Sequence, residues 1–168
     1  ENIYENRRRF LTAFDGEFKL ATVWQMHGVD VKVVESDEDI ANTEERFDAL
    51  VSDRLNTLVG VKTADCVPIL IGDPRSGSFA AVHSGWKGTT AAIVTKTVEK
   101  LQNEYGADPA NMIVAIGPSA SVENYEVGTN VIEAFGARFS DSRKYFRPTR
   151  PGHARCTNGS ISESGFVR

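Results

Sequence analysis

Histidine, cysteine and positive charge are all in short supply in this chain, and each shortage removes a class of function. Two cysteines, Cys66 and Cys156, cannot make the disulfide framework of a small secreted protein, so a reducing cytoplasm is the expected compartment. A formal charge of −4 leaves no basic footprint for a phosphate backbone, and no nucleic-acid or membrane partner is expected. No apolar run approaches the length of a bilayer span, and no signal-peptide pattern opens the chain. Three histidines in all are too few for a cluster of several coppers ligated by imidazole. What is present is 168 residues, 40% hydrophobic and 25% charged, enough for one globular domain with its own core. The first residue is Glu1 rather than Met, which leads to the expectation that a natural start precedes it.

Hydrophobic periodicity predicts a mixed α/β fold. A helix is expected over Ile3–Phe14, with Asp15-Gly16 ending it. Leu20–His27 reads as extended, and Val29–Val34 alternates valine with Asp30 and Lys32, which predicts one buried and one wet face. The acidic stretch Glu35–Glu45 reads as a loop or short helix on the surface. Short strands follow at Phe47–Ser52, Thr57–Val61, Val67–Ile71 and Phe79–His83, the last two separated by the turn residues Pro74 and Gly77. Thr89 or Thr90 can cap a helix whose stripe is Ala91, Val94, Val98, Leu101 and Tyr105, stopped at Gly106. Asn111–Ile116 is a further strand and Thr129–Phe139 a further helix, whereas the Pro-, Gly- and Arg-rich stretch from Ser140 onward predicts a loop or a partly ordered end.

The scarce residues fall at strand ends. His27 precedes Gly28, Cys66 precedes the apolar run from Val67, and His83 ends the run from Phe79. Two imidazoles and one thiol from separate strand ends are the ligand set of a zinc ion with one position open, where the fold rather than the metal sets the geometry. The plain alternative is a buried small Cys66 and two hydrogen-bonded histidines. After His83 the chain runs Ser84-Gly85-Trp86-Lys87-Gly88 into a helix, a turn whose amide groups and Lys87 can receive an anion, with Gly85, Lys87 and Gly88 as candidate phosphate contacts. It is neither a Walker loop nor a dinucleotide fingerprint, and an ordinary tight turn would look the same. Cys66, Asp65 and Glu126 are the candidate catalytic groups. Asp65 adjoins the thiol but in extended chain points to the other face, and Glu126 stands just ahead of a helix. A cap or salt bridge would explain either carboxylate equally well.

Taken together, Gln25-Met26-His27-Gly28, Asp48-Ala49-Leu50-Val51-Ser52, Thr63-Ala64-Asp65-Cys66-Val67-Pro68-Ile69, Val82-His83-Ser84-Gly85-Trp86-Lys87-Gly88 and Ala115-Ile116-Gly117-Pro118 resemble the laccase-domain, or multicopper polyphenol oxidase, family. The resemblance runs from Asn6 to about Gly128. It implies a layered sandwich of mixed β-sheets flanked by helices, in a single domain over 1–168 that lacks an N-terminal segment and parts of its C-terminal region. It implies metal ligation by His27, Cys66 and His83. It further implies zinc-dependent phosphorolysis of adenosine, inosine, guanosine and methylthioadenosine with adenosine deamination, so that purine nucleosides and phosphate are the expected partners.

The sequence departs from the family pattern where a Cys-Cys pair would precede Tyr125, so that of that motif's functional groups Glu126 alone carries over. Family members have a long helix between positions matching Arg155 and Cys156, and Gly159–Arg168 matches nothing expected after Cys156. A copper-dependent phenol oxidase is the competing reading, with Met26 or Met112 as an axial ligand, although three histidines argue against it. A non-catalytic metal-binding module is the third.

Overall fold

The computed structural model describes residues 2–156. Its centre is a five-stranded sheet in the order β2 (Val31–Val33), β3 (Ala49–Ser52), β6 (Ser78–Ser84), β5 (Val67–Asp73), β7 (Ile113–Ile116). β2 and β3 run parallel, and the other three pairings are antiparallel, so the sheet is mixed as expected. Ile69 lies opposite Val82 and Ile116, and Ile71 opposite Ala80 and Val114, which aligns one apolar face across three strands. Helix α4 (Ile93–Tyr105) covers that face, burying Ile93, Thr97 and Leu101 against Val51, Val67, Ile69 and Val82.

The opposite face is covered on the β3 side by a parallel pair, β1 (Lys19–Ala21) and β4 (Thr57–Val59), around Ala21, Val23, Val34 and Leu50. A second, antiparallel sheet of β8 (Glu126–Gly128), β10 (His153–Cys156) and β9 (Phe146–Pro148) packs with α5 (Thr129–Arg138) around Val127, Val131, Phe135, Tyr145 and Cys156. Helix α1 (Asn2–Leu11) buries none of its residues. No helix among the described residues is long and apolar enough to cross a membrane.

Several expectations are corrected. Lys32 is not wet. Its side chain is buried on the far face of β2, where Nζ donates to the carbonyls of Asp39 (2.7 Å) and Asn42 (3.0 Å) at the end of α2 (Asp37–Ala41) and pairs with Glu45. Both faces of the strand are therefore covered, and a charge can sit inside because carbonyls and a carboxylate meet it. Thr89 and Thr90 do not cap a helix. They end α3 (Trp86–Thr90), and their hydroxyls bond back to the carbonyls of Gly85 (3.0 Å) and Trp86 (3.1 Å). Ala92, at φ 62°, breaks the chain between α3 and α4, which moves the buried stripe of α4 from Ala91 to Ile93.

The stretch from Ser140 is not a loose end as far as Cys156. It forms a 3₁₀ turn and the hairpin β9–β10, whose pairing partner β8 is distant in sequence. Arg155 and Cys156 follow one another within β10 with no helix between them. Met112 is packed against the main core and is no candidate ligand. The expectation for Gly159–Arg168 lies outside the described residues.

Candidate metal centre

His83 is the penultimate residue of β6, Cys66 immediately precedes β5, and the register places Val67 opposite Ser84, so sheet pairing brings the end of the Cys66 segment beside His83. His27 arrives from the irregular segment between β1 and β2 in a left-handed conformation, φ 59°. One ligand atom from each of His27, Cys66 and His83 lies within 4.8 Å of the other two, and among the described residues this is the one such group. The two imidazoles meet edge to face, ring centres 4.8 Å apart.

Asp48 organises this arrangement, and the sequence reading passed over it. Its carboxylate accepts from the successive main-chain amides of Met26 (3.1 Å), His27 (2.8 Å) and Gly28 (2.6 Å), which explains how a non-glycine residue is held at positive φ. The same carboxylate accepts from His83 Nδ1 at 2.8 Å. Burial pushes the Asp48 carboxyl up, but the His83 bond and the three amides together hold it below the ordinary carboxylate range. An ionised Asp48 fixes the proton on His83 Nδ1 and leaves the Nε2 lone pair for a cation. An aspartate opening the apolar run Ala49–Val51 was the signal, because a buried carboxylate needs donors.

The donor set fits a zinc-type ion. Tetrahedral ligation at bond lengths of about 2.0–2.3 Å needs donors about 3.3–3.6 Å apart, and the three donor atoms lie within 4.8 Å of one another, close enough for small side-chain movements to reach that spacing. Gly85 shows how close the packing is: a Cβ there would stand 2.9 Å from His27 Cδ2 and 3.1 Å from Cys66 Sγ. Burial, and after it the charges of Asp65 and Asp48, push the Cys66 thiol up, so without a cation it keeps its proton. Tyr125 was not singled out from the sequence. Burial first, then neighbouring Cys156, Cys66 and Asp65, push its phenol up to about 12, which puts a protonated hydroxyl near the thiol.

The remaining candidates fall in different settings. Gly88 is buried, and a Cβ there would meet the Gly28 carbonyl at 3.1 Å, so its smallness serves the contact between the His27 and His83 segments. Lys87 is exposed, its ammonium 5.6 Å from the centre of the Trp86 ring. Asp65 is exposed, and its carbonyl accepts from Ala120 N at 3.1 Å. Glu126 opens β8 and accepts from Thr149 Oγ1 (2.7 Å) and Arg150 Nη2 (2.9 Å), which hold its carboxyl below the usual range. Clefts of about 650, 410 and 790 Å³ open elsewhere on the surface, and none is lined by the three metal-ligand candidates.

Fold and donors together define a mixed α/β protein with a candidate centre of two imidazoles and one thiol. The chain belongs to the multi-copper polyphenol oxidoreductase laccase family, whose model matches residues 1–160. It is 41% identical over 110 residues to a purine nucleoside phosphorylase of Clostridium acetobutylicum, covering 65% of this chain and 47% of that protein. Against a purine nucleoside phosphorylase of Deinococcus radiodurans it is 38% identical over 136 residues, 80% of this chain and 51% of the other. An adenosine deaminase from an unknown prokaryotic organism is 42% identical over 91 residues, covering 54% of this chain and 34% of that protein. The crystal structure of the hypothetical protein YfiH of Bacillus licheniformis superposes with a TM-score of 0.88 at 25% identity, over 96% of this chain and 64% of that one. The chain spans about half the length of the curated relatives it matches.

Proposed function

We propose that this chain carries the centre of a zinc-dependent purine nucleoside phosphorylase with adenosine deaminase activity, acting on adenosine, inosine, guanosine and methylthioadenosine. The observation that carries the reading is the convergence of His27, Cys66 and His83 on one point, with His83 held in one tautomer by Asp48. Relatives named for both activities support the substrate class. A zinc ion held by these three side chains would supply a Lewis acid that polarises an oxygen or acidifies a water beside it.

In phosphorolysis a phosphate oxygen bonds to the anomeric carbon as the bond to the base breaks, and the base leaves with the electron pair and takes a proton. In deamination water adds to the purine carbon bearing the amine, and ammonia leaves. In this reading Lys87, with the main chain of Gly85 and Gly88, meets the phosphate charge, while Asp65 and Glu126 handle protons. Glu126, ionised by Thr149 and Arg150, suits acceptance of a proton rather than donation. Both thiols, Cys66 and Cys156, are free, which suits a reducing cytoplasm.

The test is incubation of zinc-loaded protein with adenosine, with and without phosphate. Inosine is expected without phosphate, and adenine with ribose 1-phosphate when phosphate is present. Absence of all three products, with Cys66-dependent turnover of a phenol by copper-loaded protein, would instead establish the oxidase reading. Uptake of metal with neither activity would leave a metal-binding module.

A further inference from the structure

The three ligand candidates sit on three separate segments, and Asp48 ties only two of them together. It clamps the turn at His27 and the ring of His83, and no bond from its carboxylate reaches the Cys66 segment. That segment leaves β4 at Val59 and stays irregular until β5 begins at Val67. Its last residue is set by β5, where Val67 pairs with Ser84, but the irregular stretch before it has no strand pairing of its own to hold it against the His27 turn.

Gln25 ties the middle of that stretch to the His27 segment. Its amide Nε2 donates to the Lys62 carbonyl at 2.6 Å, and its Oε1 accepts from the Lys62 amide at 2.7 Å. Because the main chain offers one acceptor and one donor, the orientation of the side-chain amide is fixed by its partners. Gln25 thus mimics one rung of a β-ladder between the segment ending at His27 and the segment ending at Cys66. The flanking attachments of that segment lie at its two ends: Gly60 N donates to the Ala21 carbonyl at 2.9 Å, continuing the β1–β4 pairing, and Ala120 N donates to the Asp65 carbonyl at 3.1 Å, so Gln25 is the contact nearest the His27 turn.

We propose that Gln25 is a positioning residue for Cys66, joining the thiol-bearing segment to the His27 turn where the sheet register does not reach, while Asp48 positions the two imidazoles. The inference rests on the reading of His27, Cys66 and His83 as metal ligands. It divides the work: loss of Gln25 loosens the sulfur, and loss of Asp48 loosens the nitrogens.

Gln25→Met keeps side-chain length and removes both bonds. Zinc affinity, measured by competition with a chromophoric chelator, is expected to fall about 10- to 100-fold, the usual cost of losing a group that orients a ligand. In the cobalt-loaded variant the thiolate-to-metal absorption is expected to weaken, whereas Asp48→Asn lowers affinity but keeps that band. Val98→Ala, which thins the core under α4, controls for stability, and its zinc affinity is expected to match the parent. The proposal fails if Gln25→Met binds zinc within about twofold of the parent, keeps a full thiolate band, or is matched by Val98→Ala. If the parent protein itself takes up cobalt without a thiolate band, or takes up none, the ligand assignment has failed and this inference with it.

Discussion

A methyl group on Gly85 would reach the two most adjustable ligands at once. The Gly85 backbone, at φ −75°, accepts any residue, so alanine there is unwelcome for want of space rather than for strain. The added carbon would stand 2.9 Å from the His27 ring, whose side chain is exposed and can swing away. Gly85→Ala should therefore leave the thermal midpoint of the metal-free protein within a few degrees of the parent while weakening zinc binding by 10-fold or more. Calorimetric titration beside a melting curve checks both halves. A large drop in midpoint with unchanged affinity would mean that the glycine serves the fold alone. At this scale the sequence disclosed the three ligand candidates, because rare residue types at strand ends stand out against a common background. It did not disclose Asp48 or Tyr125, whose residue types are abundant and whose importance comes from what surrounds them.

Among the elements, β2 shows why alternation misleads on a strand covered from both sides. Asp30 and Lys32 interrupt the valines, yet Lys32 is 3% exposed because α2 lies over it and turns carbonyls toward its ammonium. Period-two patterning reports a contrast between faces, and a lysine that reaches carbonyls satisfies the buried face as well as an apolar residue would. Lys32→Ala should destabilise the protein by about 1.5–3 kcal/mol, the range for hydrogen bonds to a charged group. Glu45 is partly exposed and can return to water, which keeps the loss below that of a buried unpaired charge. Urea denaturation reads the change, and a midpoint equal to the parent's would mean that the three contacts contribute nothing net.

The β9–β10 hairpin was illegible for a different reason. Its strands are three and four residues long, too short for periodicity, and they exist because β8 and the Phe135 cluster offer a distant partner. Helix α4 and its stop at Gly106 were legible, because a helix carries its signal within its own length.

For the whole molecule, the family resemblance implied a layered sandwich of mixed sheets, whereas which strand lies beside which was not legible, because pairing partners such as β3 and β6 are distant in sequence. Chain connectivity also sets how metal and fold depend on one another. The main core, from Ala49 through Val82 to Leu101, contains none of the three ligand candidates, and the β5–β6 ladder that begins beside Cys66 and includes His83 is paired without help from a cation. Removal of metal should therefore loosen the His27 turn and the segment before Cys66 while the sheet persists. A ligand present at 100 times its dissociation constant stabilises by about 2.7 kcal/mol. For a chain of this size that corresponds to about 5–11 °C, at roughly 2–4 °C per kcal/mol. Scanning calorimetry in excess chelator should show a cooperative transition lowered by that amount against zinc-saturated protein. Loss of the transition in chelator would mean that the ion holds the fold together, and a centre built for structure would then replace one with a coordination position open for chemistry.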